Sequence, residues 1–348
     1  MPAATLQALW PDDLGTAAQA VTRWIWHGYV GAGCVTLLTS QWKSGKTTLL
    51  SLLLSKRVQG GSLAGLAVES GKSAIVSEES VALWNGRRLS LDFGQHSCFF
   101  CRPFPAKPTA LEWHGLLDAL HEQVREHAID LIVVDTLASF LPSGAECSAD
   151  LLMNTLMPLL NLAKLGCAVL LLHHPKKGCP PEGQAARGTG ALSGFADIVL
   201  EMSHLGPPSA ADRRRRLAGM SRFAQTSRQL LVQLNEAGSD YECLSQDFDE
   251  CDFLGNWAHV ERLLNSAQDK LTRQQIMAEW SPDVPKPADT SLWRWLDRAY
   301  ARQMLARDGD GFRSSPYRYW LPHKLEEWMN DPIYQLHHMD DGVKMPWE

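Results

Sequence analysis

The chain has 348 residues, of which 45% are hydrophobic and 21% are charged, and its formal net charge at pH 7 is −6. This length suits one large domain with a smaller one, and no apolar run approaches the roughly 20 residues that a membrane-spanning helix needs. The acidic balance excludes a uniformly basic surface but not a local groove for nucleic acid. Because the N-terminus also lacks the pattern of a signal peptide, we expect a cytoplasmic location.

Between Cys34 and about Glu201, short and continuously apolar runs alternate with longer stretches of helical pattern. Runs without polar alternation are typical of strands buried on both faces of a parallel sheet. The predicted strands cover residues 34–40, 73–77, 98–104, 131–135, 168–174 and 197–202, and the predicted helices cover residues 46–56, 81–91, 109–126 and 149–164. Their repeated order predicts an α/β fold with a doubly wound, mostly parallel sheet.

The pattern changes after Glu201. Two β-like runs, at 216–225 and 229–236, predict antiparallel strands at one edge of the sheet. The four arginines 213–216 lie at the start of the first of these runs, and such a short charge run is usually solvated, with DNA contact as the alternative. The chain then divides into an N-terminal segment (1–30), the sheet domain (31–238), an acidic linker (239–256), a small domain (257–333) and a tail (334–348).

The small domain has the element order of a winged helix-turn-helix. Thr272 and Gln275 form a capping box that predicts one helix, another helix begins near Asp289 or Thr290, and residues 303–321 predict a strand, a turn and a strand. The helix near Asp289 is the third of the three helices expected before the hairpin; arginines recur on it every four residues, and the candidate DNA contacts are Arg294, Arg298 and Arg302. Winged helices also dock proteins, and nearby aspartates reduce the positive charge of this helix. DNA binding and protein docking by the small domain therefore both stay open.

The stretch SQWKSGKTT lies between the first predicted strand and the first predicted helix. A phosphate-binding loop needs backbone N–H groups at a helix N-terminus, a lysine for the β- and γ-phosphates and a hydroxyl for Mg²⁺. Gly45, Lys46 and Thr47 supply these groups, whereas Ser40 replaces the leading glycine and is tolerable if its φ is negative. A chance match in a turn is the alternative. The predicted ATP-binding residues are Ser40, Gln41, Trp42, Lys43, Ser44, Gly45, Lys46, Thr47 and Thr48.

Carboxylates follow two of the predicted strands. Asp135 closes LIVVD, and with Thr47 it is the candidate Mg²⁺ site. The next residue is Thr136, so the base that activates water has to come from another strand. Glu78 or Glu79, which follow SAIVS, would lie at the same edge of the sheet and near the γ-phosphate. The alternative is that both glutamates are simply solvated.

From about Trp24 to Leu234 the chain resembles the RecA-like ATPase domains of hexameric replicative helicases, closest to the plasmid RepA type and related AAA-domain ATPases. The resemblance covers roughly two-thirds of the chain and rests on SQWKSGKTT, VSEES followed by Arg87 and Arg88, LIVVDT, LLHHPKKG, RGTGALSGFADIVLEM and MSRFAQT, in this order. It implies an ATPase that assembles into a homo-oligomeric ring, expected to be a hexamer, around single-stranded DNA.

The resemblance also implies roles for residues beyond the loop. His174 is similar to the polar sensor of the γ-phosphate, with a buried structural histidine as the alternative. The segment 175–190 is similar to the central-channel loop, so that Lys176, Lys177 and Arg187 are candidate DNA contacts. Arg222 is similar to the arginine finger that one subunit donates to the next, but Met220 stands where helicases often have a lysine.

Two functions stay open. The first is a Mg²⁺-dependent ATPase of the replicative-helicase type, with Lys46, Glu78 or Glu79, His174 and Arg222 as catalytic residues. The second is a nucleotide-gated DNA-binding or assembly switch, as in mobile elements, repair or defence, with little or no unwinding. Met220 favours the switch, and so does the short segment before the first strand, in which we expect no further helicase domain.

Overall fold

The computed structural model describes residues 10–11, 23–174, 191–205, 212–282 and 284–330. The chain forms two compact units, the first reaching as far as Asp247 and the second formed mainly by residues from Phe248 onward. Among the described residues, no helix has both the length and the apolar character needed to cross a bilayer.

A nine-stranded sheet runs through the described part of the first unit, in the order β13-β12-β11-β10-β3-β9-β8-β6-β7. The strands of this unit are β1 (Trp24–Trp26), β2 (Val30–Gly31), β3 (Val35–Ser40), β4 (Gly61–Leu63), β5 (Leu66–Val68), β6 (Lys72–Ser77), β7 (Ser97–Cys101), β8 (Ile129–Asp135), β9 (Ala168–His173), β10 (Ile198–His204), β11 (Arg214–Ser221), β12 (Gln229–Leu234) and β13 (Tyr241–Ser245). The six strands from β10 to β7 are parallel, and β11, β12 and β13 are antiparallel additions at one edge. The α/β class and the antiparallel edge predicted from the sequence are confirmed.

Helices cover both faces of this sheet. They are α1 (Lys46–Lys56), α2 (Val81–Ser90), α3 (Ala110–His127), α4 (Leu137–Phe140), α5 (Ala149–Leu156), α6 (Leu159–Lys164) and α7 (Ala191–Phe195). Successive residues of β3 point to opposite faces, so Leu38 packs in one core with the leucines of α1, while Val35 and Leu37 pack in the other with Trp113 of α3. This two-sided burial explains why the strands read as continuously apolar runs.

The predicted helix 149–164 is in fact two helices. Pro158 lies between α5 and α6. Proline has no backbone N–H, and its ring clashes with the carbonyl of the preceding turn, which explains why the helix is interrupted here.

A second, small sheet of the order β2-β1-β5-β4 lies in the first unit and was not predicted. Part of the supposed N-terminal segment therefore belongs to the fold, because Ile25, Trp26 and Tyr29 are buried in its core. Strands of two or three residues carry too little periodicity to be recognised in a sequence.

The second unit contains α8 (Phe248–Ser266), β14 (Leu271–Thr272), α9 (Arg273–Ala278), α10 (Asp289–Ala301), β15 (Ala306–Asp308), β16 (Arg318–Trp320) and α11 (Pro322–Met329). The capping box of Thr272 and Gln275 forms at the start of α9, and β15 pairs antiparallel with β16. In the turn between these strands Gly309 has φ +87°, and a Cβ atom there would lie 2.5 Å from the carbonyl oxygen of Pro316. The predicted order of helices and hairpin is therefore observed.

The predicted acidic linker 239–256 is not irregular in the structure. It contains β13 and the first half of α8. Acidic side chains mask the pattern in the sequence, yet Tyr241, Cys251 and Phe253 are buried and fix these elements to their cores.

Candidate nucleotide-binding site

The loop between β3 and α1 has the backbone that a phosphate cradle requires. Gly45, which caps α1, has φ +100°, a left-handed conformation that favours glycine. The other positive φ in the loop is at Lys43 (60°), and Ser40 keeps a negative φ. The serine in the place of the leading glycine therefore meets the condition under which it is tolerated.

Lys46, the first residue of α1, turns its side chain back over the loop. Its Nζ donates a hydrogen bond to the carbonyl oxygen of Ser40 at 2.9 Å and lies 3.4 Å from Nδ1 of His174. Burial lowers the pKa of Lys46, and the negative charges of Asp135 and Glu78 oppose that shift. The lysine and the predicted sensor histidine are thus direct neighbours.

Thr47 and Asp135 are also in contact, because the Thr47 Oγ1 donates to Oδ2 of Asp135 at 3.1 Å. Asp135 is only 2% exposed. Burial raises its pKa to about 6; the Thr47 hydrogen bond acts against this shift, and the charges of Glu79 and Glu78 reinforce it. A hydroxyl and a carboxylate are hard oxygen donors of the kind that Mg²⁺ prefers, so this pair would fit a Mg²⁺ ion.

Glu78 follows β6 and is tied to the end of β8. Its backbone N–H donates to the carbonyl oxygen of Asp135 at 2.8 Å. Its carboxylate accepts hydrogen bonds from two hydroxyls of the following turn, Thr136 Oγ1 at 3.1 Å and Ser139 Oγ. These donors are neutral, so they orient the carboxylate without forming an ion pair with it.

Glu79 has a different environment, because Arg87 of α2 holds it with two hydrogen bonds, one of them 2.9 Å long. The guanidinium of Arg87 stacks 4.8 Å from the ring centre of Trp84. Trp84 is in turn fixed by its indole N–H, which donates to Ser77 Oγ at 2.9 Å. The charge of Glu79 is therefore paired, whereas that of Glu78 is not paired with a cation by any of these bonds.

A cavity of about 380 Å³ joins these groups at the carboxyl edge of the parallel strands. Its volume lies in the range of small-molecule sites. It is lined by Trp42, Lys43, Ser44, Gly45, Lys46, Thr47, Thr48, Glu78, Glu79, Arg87, Asp135, Thr136 and His174. The predicted loop, metal and carboxylate residues thus meet around one cavity, and Ser40 and Gln41 lie just before this lining in the loop.

Two lining residues, Arg87 and Thr136, had no predicted role. Local spacing does not pair Arg87 with Glu79, because Glu79 precedes α2 and lies eight positions away, beyond the three or four residues that separate neighbours on a helix. A third overlooked residue, Arg215, donates from Nε to the carbonyl oxygen of Ser44 at 2.8 Å. No local pattern predicts this contact, because it depends on the pairing of the antiparallel edge strands.

Arg222 lies far from this cavity. Ser221, the last residue of β11, pairs with Ile198, the first residue of β10, which in turn pairs with Thr36 near the start of β3. Arg222 is therefore at the amino edge of the parallel strands, opposite to the phosphate loop. The candidate channel residues Lys176, Lys177 and Arg187 lie outside the described residues.

The candidate DNA contacts of the second unit are not equivalent. Arg298 and Arg302 both bind the carboxylate of Glu250 in α8, at 2.8 Å and 2.6 Å, and both stack on the ring of Phe253. The hydrogen bond from Arg302 lowers the pKa of Glu250. Arg294, in contrast, is exposed. The predicted arginine row is thus a clamp between α8 and α10 at two of its three positions.

Comparison with protein-family models finds a match over residues 2–179 to a model described as AAA domain. The match spans just over half of the chain and includes the phosphate loop, both glutamates, Asp135 and His174. Comparison with curated proteins finds no match.

Proposed function

The chain belongs to the AAA domain family, and from this premise we propose that it is a ring-forming ATPase that couples Mg²⁺-dependent hydrolysis to DNA binding and translocation, like a replicative helicase. Its P-loop ATPase domain implies nucleotide hydrolysis. The observation that carries the proposal is the meeting of Lys46, Thr47, Asp135 and Glu78 around one cavity beside a helix N-terminus. These are the groups that phosphoryl transfer to water requires.

Each group has a distinct task in this proposal. Lys46 leaves the Ser40 carbonyl and contacts the β- and γ-phosphates, and His174 beside it senses whether the γ-phosphate is present. Thr47 and Asp135 would hold the Mg²⁺ ion. When bound, Mg²⁺ neutralises the phosphate charge that grows in the transition state.

We assign the water-activating role to Glu78 rather than to Glu79. A general base needs a carboxylate that is free to accept a proton. Both carboxylate oxygens of Glu79 accept hydrogen bonds from Arg87, whereas the described hydrogen bonds to the carboxylate of Glu78 come from the hydroxyls of Thr136 and Ser139. Glu79 would instead hold Arg87 beside the phosphates.

Arg222 would complete the site of a neighbouring subunit. It lies at the edge of the sheet opposite to its own phosphate loop, so it cannot serve its own nucleotide. A head-to-tail ring brings opposite edges of neighbouring copies together, which is why we propose a ring, expected to be a hexamer. Single-stranded DNA would pass through its channel and contact Lys176, Lys177 and Arg187.

A nucleotide-gated assembly switch is the second candidate. Residues 248–330 contain 11 Lys and Arg against 13 Asp and Glu, and Glu250 already neutralises Arg298 and Arg302. A unit with this balance has little excess charge for DNA phosphates and suits protein docking. Met220 in the place of a second interface cation favours the same function.

ATP turnover with and without single-stranded DNA, followed by unwinding of a forked duplex, tests the proposal. We expect DNA to stimulate turnover and the wild type to unwind the fork. Lys46→Ala should abolish turnover. Glu78→Gln should reduce kcat by roughly a hundredfold or more, and Glu79→Gln should reduce it less. Turnover without unwinding would support the switch, and full activity of Lys46→Ala would contradict the nucleotide site itself.

A further inference from the structure

We propose that Arg215 is a positioning residue for nucleotide binding, which holds the phosphate-binding loop in shape from the side away from the phosphates. The inference rests on the proposed nucleotide site. It starts from the single hydrogen bond that Nε of Arg215 donates to the carbonyl oxygen of Ser44 at 2.8 Å. Arg215 belongs to the arginine run 213–216, for which the sequence suggests only solvated surface or DNA contact.

Arg215 provides a hydrogen-bond donor for a buried carbonyl group in the backbone of the loop. A phosphate cradle turns its N–H groups toward the ligand, so that its carbonyl groups point outward. Ser44 is 1% exposed, and its carbonyl therefore needs a donor from the protein. Its hydroxyl and its N–H both donate to the carbonyl of Gln41, at 2.6 Å and 3.3 Å. Arg215 supplies the donor for the remaining polar group, the outward carbonyl.

Strand pairing and hydrogen bonds hold Arg215 itself in place. In β11 it pairs with His204 on one side and with Val232 on the other, so its backbone lies between two strands of the sheet. Its Nη1 donates to the carbonyls of Asp212 and Arg214, at 2.8 Å and 2.7 Å. These bonds fix the guanidinium relative to the sheet. Its hydrogen bond to Ser44 therefore fixes the loop relative to the sheet as well.

Residues near Arg215 also support the loop, at Gly45. A Cβ atom on Gly45 would lie 3.2 Å from Oη of Tyr241 and 3.6 Å from Cε of Met202. The positive charge of Arg215 also acts on Tyr241, whose pKa burial raises. Strand β10 thus backs the loop with a thioether, and the antiparallel edge strands back it with an aromatic ring and a cation.

Arg213 and Arg214 of the same run make different contacts from those of Arg215. Arg213 forms an ion pair with Glu236, and Arg214 forms one with Asp212. Of these three arginines, Arg215 is the one whose described hydrogen bonds include the phosphate loop. Arg213 is therefore a matched control with the same charge change two residues away.

The test compares Mg²⁺-ATP affinity, KM and kcat for the full-length wild type, Arg215→Ala, Arg215→Lys and Arg213→Ala. Loss of a charged hydrogen bond to the loop should weaken ATP binding and raise KM by roughly tenfold or more in Arg215→Ala, with a smaller change in kcat. Arg215→Lys, which keeps the charge and one donor, should recover part of the affinity. Arg213→Ala should stay within about twofold of the wild type.

The outcomes separate this inference from the proposed function. If the wild type does not bind Mg²⁺-ATP, the nucleotide site is wrong. If it binds and Arg215→Ala binds within about twofold of it, the positioning role is wrong. A merely structural role would lower the melting temperature of Arg215→Ala without moving KM at temperatures where it is folded. If Arg215→Ala does not fold, Arg215→Lys decides, and unchanged KM in that variant overturns the proposal.

Discussion

Asp135 is buried beside two other carboxylates, although its proposed task is to hold a metal ion in the ionised form. Burial raises its pKa from 3.8 to about 6, and Glu79 and Glu78 reinforce the shift. Between these two values the folded protein keeps a proton that the unfolded chain releases. The free energy of unfolding therefore falls as the pH rises through this window, and the full cost is present above it. The site is destabilising until a cation neutralises it.

This cost can be measured with Asp135→Asn, which has no charge at any pH and keeps an oxygen for the Thr47 hydrogen bond. Without Mg²⁺ or nucleotide, we expect the variant to be more stable than the wild type at about pH 7.5, by at most about 3 kcal/mol. At about pH 4.5 most of this difference should vanish, because Asp135 is then protonated in the folded state. Urea unfolding at both pH values measures it, and an equal difference at both would contradict the assignment.

At the scale of elements, α8 and α10 are joined by Glu250 and its two arginines. The carboxylate lies between Arg298 and Arg302, and the ring of Phe253 lies under both guanidinium groups. Because these side chains are between about a fifth and two-fifths exposed, solvent screens the ion pairs. The stacking on Phe253 adds packing that a purely exposed salt bridge lacks.

We expect Glu250→Gln to loosen α10, because it removes the charge that holds two arginines. Amide hydrogen exchange in residues 289–301 should become roughly three- to tenfold faster, corresponding to about 1 kcal/mol. The control is Glu327→Gln, which breaks the exposed pair with Lys324 and should change little. Duplex binding adds a second readout. Tighter binding by Glu250→Gln would mean that the released arginines can contact DNA, whereas unchanged exchange would contradict the clamp.

At the scale of the whole molecule, the sequence predicts whatever repeats locally. The apolar runs of β3 and β8, the loop ending at Thr48 and the carboxylates after β6 and β8 are short-range signals, and the structure brings them to one edge. The small sheet containing Trp26, the pairing of Arg87 with Glu79 and the contact of Arg215 with Ser44 depend on packing or on strand pairing. Such contacts join residues up to 171 positions apart, and no local pattern encodes them.

The proposed ring makes a prediction about mixtures of inactive subunits. Arg222→Ala and Glu78→Gln should each be inactive alone, since one lacks the donated cation and the other its own base. In a random mixture about a quarter of the sites combine an intact Glu78 with an intact Arg222 from the neighbour, and turnover should reappear. Glu78→Gln mixed with Lys46→Ala is the control, because both defects affect a subunit's own site. Full activity of Arg222→Ala alone would refute donation between subunits.

Strand β11 begins at the phosphate loop and ends next to Arg222. From Arg215 to Arg222 the chain advances by seven residues, or about 23 Å of extended backbone. In an assembled ring, this one hydrogen-bonded strand would have its first residues against the subunit's own phosphate loop and its last beside the ATP of the next subunit. A shift of the loop on hydrolysis would then displace Arg222 in the neighbouring site. The order in which the subunits hydrolyse ATP would follow from the stiffness of a single β-strand.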